Sequence, residues 1–328
     1  MGKRVLFLEG HGEPVRLKHS VINSIIKRMG INPDPFESLT NYLLHFGYSI
    51  EFSENRRISL QFLRKYDILV IYSPTNPISS QEIDAIEKFV QLEGSLLLIG
   101  QCTIPMLPLM SANGPFAFSN ITDVVSGMTS GASKFYEYIN NISRKFGIFF
   151  ISDLLQGGNN SYTLTRASST QNGSPSRRRY NNLTKNGSQS FNIPLISHFE
   201  PHTIFQKIKR FYYYGCCLEV TQSVSPLAYS DADTKPSKAI VMAISQTSGG
   251  RVFATGSPIL FTRSGVANLS IRDREHAQLA LNIFTWLSHK GSAKIAPKKA
   301  ELPSRRCPYC QHENPPSERF CRKCGSSI

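Results

Sequence analysis

Residues 66–100 read Tyr66-Asp67-Ile68-Leu69-Val70-Ile71-Tyr72, then Ser79-Ser80-Gln81-Glu82, then Glu93-Gly94-Ser95-Leu96-Leu97-Leu98-Ile99-Gly100. Two unbroken apolar runs flank a segment that carries Ile83, Ile86, Phe89 and Val90. A run that is apolar at every position suits a strand buried on both faces, whereas alternation would mark a sheet wet on one side. Ser79 and Glu82 have capping-box spacing: the hydroxyl accepts from the third helical amide, and the carboxylate accepts from the amide of the cap. The helix this opens has one apolar face and stops at Gly94. The stretch is a β-α-β unit of a parallel sheet.

Upstream, Val5–Leu8 is a third buried strand, followed by the turn Gly10-His11-Gly12-Glu13-Pro14. A helix is expected over Pro35–Phe46, capped by Asp34, with Phe36, Leu39, Leu43 and Phe46 on one face. Tyr48–Phe52 reads as a strand and Ser59–Leu63 as a short helix. Downstream, a helix at Ser133–Phe146 feeds a strand at Ile148–Ile151. Strands follow at Arg210–Tyr214, Leu218–Val220, Ala239–Ser245 and Arg251–Ser257, the last two joined by a hairpin-type turn. A final helix covers Asp273–Leu287. The predicted fold class is α/β, with a doubly wound, mostly parallel sheet built from residues 1–156 and 193–288.

The 328 residues are 40% hydrophobic and 18% charged, which excludes wholesale disorder and coiled-coil composition. The net charge of +14 is uneven. Residues 157–199 carry Arg166, Arg177, Arg178, Arg179 and Lys185 with no acid, and 289–328 carry nine cations against Glu301, Glu313 and Glu318. Basicity is therefore expected to reside in extensions, where nucleic acid is a candidate partner through the loop and the tail. Residues 157–192, rich in Ser, Asn, Gly, Thr and Arg, read as a disordered insertion, and 289–306 as a basic linker. The opening holds only four apolar residues before a charge, too few for a signal-peptide core. The longest uncharged stretch, 94–122, is broken by Pro105, Pro108 and Pro115, so no membrane span is expected. The expected location is cytoplasmic.

The tail, 307–328, holds Cys307-Pro308-Tyr309-Cys310 and Cys321-Arg322-Lys323-Cys324. Two-residue spacing aims both thiolates of a pair at one metal, and two such knuckles make a tetrahedral site. With almost no apolar core of its own, this segment needs one structural zinc ion to fold. It resembles the short zinc-ribbon family, matching at Asn314, Phe320 and Gly325, with Gln311 where glycine is usual after the first knuckle.

Three segments are candidates for chemistry at strand ends. His11 and Glu13 follow the first strand as candidate ligand-binding residues. Cys102 follows the strand ending at Ile99 and stands where a nucleophile elbow would present a thiol, although Ile104 and Pro105 depart from that pattern. His198 and Glu200 have the types of a base and its orienter. Cys216 and Cys217 read as buried core thiols.

The order of Val5–Glu9 with its His-Gly loop, Gly47-Tyr48, Tyr66–Ile71, Pro77 with Ser79–Glu82, Glu93–Gly100, Tyr214–Val220, Gly250–Ser257 and Asn282–Leu287 resembles the GIFT-type domain. That domain, named for gliding-motility and intraflagellar-transport proteins, belongs to the class I glutamine amidotransferase-like superfamily. The resemblance implies a sheet kept without the catalytic triad and used as a binding or assembly platform with a protein partner. The expected function is a non-catalytic scaffold with a zinc-ribbon interaction module. The alternatives are a cysteine-dependent amidase or amidotransferase-like hydrolase using Cys102, and a nucleic-acid-associated factor.

Overall fold

The computed structural model describes residues 2–11, 35–53, 57–101, 136–158, 161–165, 190–247, 249–262 and 269–289, and 305–306, 310–311 and 313–314 of the tail. The chain divides into two compact units, Met1–Gly291 and Ser292–Ile328. In the first, the apolar runs form β1 (Arg4–Phe7), β3 (Ile68–Tyr72) and β4 (Ser95–Ile99), with β2 (Ser49–Phe52) beside β1. The second half adds β5 (Ile148–Leu154), β8 (His198–Phe199), β10 (Cys216–Val220), β11 (Ser225–Tyr229), β12 (Ile240–Gln246) and β13 (Arg251–Thr255). Among the described residues these ten strands make one sheet in the order β2-β1-β3-β4-β13-β12-β10-β5, with β11 and then β8 on another edge of β12. Pairing is parallel from β2 through β13 and antiparallel beyond it.

The parallel strands are apolar throughout because successive side chains enter different layers. Val5, Phe7, Ile68, Val70, Leu97 and Ile99 meet α1 (Glu37–His45) and a C-terminal helix, α4 (Arg274–Ser288). Leu6, Leu69, Ile71, Leu96 and Leu98 meet α2 (Leu60–Leu63), α3 (Ser80–Gln91) and the helical residues 136–143. Fully burying one such leucine or isoleucine is worth about 1.5–3 kcal/mol, so the two layers carry most of the stability. This is the expected doubly wound α/β architecture.

Several elements differ from expectation. α1 begins at Glu37 with Phe36 at its cap and no side-chain capping bond, and Asp34 lies outside the described residues. Phe46 follows the helix and is exposed, meeting the ring edges of Tyr42 and His45 rather than the core. β11 lies where the sequence reading placed no strand; its Pro226 is tolerated where the register with β12 shifts. The insertion read as disordered has ordered ends. β6 (Ser161–Thr165) pairs with β7 (Ser190–Ile196), which pairs with β9 (Phe211–Tyr212). Ile193 is buried where these ends meet and the half-buried Tyr162 packs against that cluster, supplying apolar burial that the centre of the tract lacks in composition. Residues 166–189 lie outside the described residues. No helix among the described residues is long and apolar enough to cross a membrane.

Candidate functional site: the crevice at the strand ends

β1 connects outward to β2 whereas β3 connects the other way to β4, so the carboxyl ends of β1 and β3 form a topological switch point. The backbone closes this point tightly. The Glu9 N–H donates to Ser53 Oγ at 2.7 Å, and that hydroxyl donates back to the Glu9 carbonyl at 2.7 Å. The N–H groups of Thr75 and Asn76, after β3, both donate to the His11 carbonyl at 2.8 and 2.7 Å. Glu9 is buried here, and Ser73 holds a left-handed φ of 40°.

The His11 side chain points at the start of α3. Its Nε2 lies 3.4 Å from Glu82 Oε2. Glu82 also accepts from the Ser79 hydroxyl at 2.7 Å, the Ser79 N–H at 3.1 Å and the Ile58 N–H at 3.2 Å. Burial pushes this carboxyl up, but the Ser79 hydroxyl, the two amides and His11 outweigh it, so its pKa is lowered. The partial positive charge at the start of α3, where many α/β proteins bind phosphate, is thus answered by the chain's own carboxylate. Glu13 lies outside the described residues.

A second part of the strand-end region is built where β4 and β13 end. Gly100 N–H donates to the Thr255 carbonyl at 2.8 Å. A Cβ at Gly100 would stand 2.7 Å from Phe150 Cδ1 and 3.1 Å from Cys216 Sγ, which is why glycine is needed there. Gln101 accepts from Tyr72 OH at 2.8 Å through Oε1 and from Tyr136 OH at 3.1 Å through its carbonyl. Cys102 lies outside the described residues. Cys216 and Cys217 are buried, and Tyr213 OH donates to the Cys216 carbonyl. Burial, with smaller contributions from the neighbouring thiols, drives the Tyr213 phenol well above its ordinary pKa.

His198 and Glu200 have separate partners. His198 Nδ1 lies 2.7 Å from Asp231 Oδ1, on a side chain that is 70% exposed. Glu200 bonds instead to Tyr229, whose pKa is raised first by burial and then by that carboxylate. The carboxylate that orients His198 is therefore Asp231, which sequence reasoning missed; β8 reaches it only by pairing with β11. A groove of about 540 Å³, lined by Cys217, Leu218, Val220 and residues 236–240, opens where β10 and β12 diverge after their pairing at Leu218 and Ile240.

In the second unit, β14 (Arg305–Arg306) pairs with β15 (Glu313–Asn314) around the first cysteine knuckle. Gln311, one residue past Cys310, has a left-handed φ of 59°. A short hairpin closing on Cys-x-x-Cys fits a zinc knuckle, and thiolate donors suit zinc. Cys310 is half-buried, whereas Cys307, Cys321 and Cys324 lie outside the described residues.

Residues 306–328 match the family model of the zinc-ribbon domain. No curated protein matches the chain in sequence. Among solved structures, the N-terminal domain of IFT52 (mmIFT52) aligns with 89% of this chain and 100% of its own length, at 13% identity and a TM-score of 0.55. The cytoplasmic protein STM3548 from Salmonella typhimurium aligns with 87% of this chain and 98% of its own, at 12% identity and a TM-score of 0.46. A ThuA-like protein from Bacteroides uniformis aligns with 87% and 91% respectively, at 10% identity and a TM-score of 0.42. At such identities the likeness is one of fold: an α/β domain similar to that of IFT52, with a zinc-ribbon segment at the C-terminal end.

Proposed function

We propose that the chain is a non-enzymatic binding platform. In this reading a GIFT-like α/β domain recognises a protein at its strand-end crevice, and a tethered zinc ribbon supplies a second contact. The observation that carries the reading is the way the crevice spends its polar groups. Glu82 satisfies the cap of α3 and reaches His11, the His11 carbonyl ties down the loop after β3, and Glu200 is bonded to Tyr229. Groups committed to holding loops make a rigid recognition surface, whereas a hydrolase needs a base and nucleophile in mutual reach. Two modest contacts joined by a linker gain effective concentration, which suits a scaffold. In the ribbon, Cys307, Cys310, Cys321 and Cys324 would hold one zinc ion, which supplies folding energy.

The test is the pH dependence of alkylation at Cys102 in the zinc-loaded protein, read by peptide mass spectrometry against Cys216 and Cys217. Labelling that is slow, or follows a free-thiol pKa of about 8.5, is expected. Fast labelling well below that pKa would overturn the platform reading in favour of a cysteine-dependent amidase.

A further inference from the structure

The charge that sequence alone assigns to loop and tail has a counterpart on the folded α/β domain. The segment after the 3₁₀ turn Thr203–Phe205 runs back along α4 toward its first turn: Asn282 Nδ2 donates to the carbonyls of Ile204 and Gln206. Glu275 then accepts from the N–H groups of Lys209 and Arg210 at 3.2 and 2.8 Å, and Tyr212 N–H donates to His276 Nε2 at 3.0 Å. This brings the backbone of Lys209 and Arg210 to the first turn of α4, which Arg272 and Arg274 flank, with Lys207 further back along the same segment, and all five cations are exposed. Both local acids, half-buried, are engaged with backbone: Asp273 accepts from the amides of Glu275 and His276, and Glu275 accepts from those of Lys209 and Arg210.

Among the described residues, none of the five cations is in an ion pair. Lys207 moreover holds a left-handed φ of 65°, where glycine would avoid a cost of about 1–2 kcal/mol. Two half-buried tyrosines adjoin the cluster on the small β6-β7-β9 sheet, Tyr212 meeting Tyr162 edge-on at 6.1 Å.

We propose that this face, Lys207, Lys209, Arg210, Arg272 and Arg274 with Tyr162 and Tyr212, binds single-stranded nucleic acid. Cations with no protein counter-ion suit a polyanion, and guanidinium groups take phosphate oxygens bidentately. Aromatic rings beside them favour a ligand whose bases can stack over an acidic peptide or a lipid surface, neither of which offers a planar ring at each repeat. The helix field at the start of α4 adds diffusely, since its terminal amides are already capped by Asp273.

The experiment uses the full zinc-loaded chain and fluorescence anisotropy with 20-nucleotide single-stranded RNA and DNA of mixed sequence, over a range of salt. The triple variant Lys209→Gln, Arg210→Gln, Arg274→Gln leaves the backbone bonds to Glu275 in place and is expected to fold as the parent does, checked by circular dichroism. It should weaken binding by about tenfold or more and reduce the slope of log K against log salt by about 2, at about 0.7 per lost phosphate contact. Tyr162→Leu, which keeps apolar bulk, should weaken binding several-fold with the slope unchanged. A parent chain that fails to bind, a triple variant that binds as the parent does, or equal binding of duplex, polyglutamate or anionic vesicles would each overturn the proposal. The RNA and DNA arms show which backbone is preferred.

Discussion

Gln311 is the residue on which the proposed zinc site is most readily tested. Its left-handed backbone follows directly on the first Cys-x-x-Cys pair, where an L-residue with a Cβ is disfavoured. Gln311→Gly is expected to tighten zinc binding by about 0.5–1 kcal/mol, net of the extra freedom glycine gives the unfolded tail. Competition with a chromophoric chelator would measure it, and unchanged affinity would mean that the left-handed turn costs nothing. Glu82 sets the opposite case, a side chain held by four polar contacts from three residues. Glu82→Gln should destabilise the domain by about 1–3 kcal/mol, because buried donors then face a weaker acceptor. Since the folded pKa of Glu82 is lowered, its contribution is complete above the unfolded value of 4.5 and is lost as pH falls through the folded pKa. Urea titrations at pH 7 and pH 3 should therefore show a smaller gap between parent and variant at the lower pH.

The elements show where packing rather than propensity decides. The carboxyl end of β4 lies against Phe150 of β5 and Cys216 of β10 so closely that Gly100→Ala must displace the buried Phe150 ring. A loss of about 1–3 kcal/mol is expected, with partial recovery in the double variant carrying Phe150→Leu. If the second change deepens the loss, the account of the contact is mistaken. α4 carries His276 into the core, where Nε2 accepts from Tyr212 N–H and Nδ1–H donates to the Ser270 carbonyl. Burial lowers its pKa more than Asp273, the Ser270 carbonyl and Glu275 raise it, so the native ring is neutral. Above its unfolded pKa of about 6.5 this has no cost, because neither state is charged. Below it the unfolded chain takes up a proton that the native ring refuses, and stability falls by at most about 1.4 kcal/mol per pH unit. Thermal melts from pH 7.5 to 5 should show that decline, and a flat profile would contradict it. His202, lowered by burial and then by Arg251, acts in the same direction.

At the scale of the molecule, the two units differ in what holds them. Met1–Gly291 has two apolar layers on one sheet, whereas Ser292–Ile328 carries the four cysteines proposed to hold zinc. Chelation is therefore expected to unfold the tail alone and to leave the melting temperature of the α/β unit within about 1–2 °C, since the metal's binding energy is folding energy only where its ligands lie. Differential scanning calorimetry with and without chelator would decide this. A large shift of the main transition would show that zinc also supports the α/β unit.

Much of this was legible in the residues. The unbroken runs at 68–72 and 96–99 and the capping box at Ser79 and Glu82 specify buried parallel strands around an amphipathic helix, because hydrophobic period and cap chemistry are local properties. The Cys-x-x-Cys pairs mark the ribbon for the same reason. Other features needed long-range pairing. Asp231 meets His198 only because β8 joins β11, Phe150 meets Gly100 only across the sheet between β5 and the end of β4, and α4 meets the 209–210 backbone only when the chain returns some 65 residues later. Sequence carries each of these residues without its neighbour, since contacts between distant segments are decided by how the layers pack and not by any pattern along the chain.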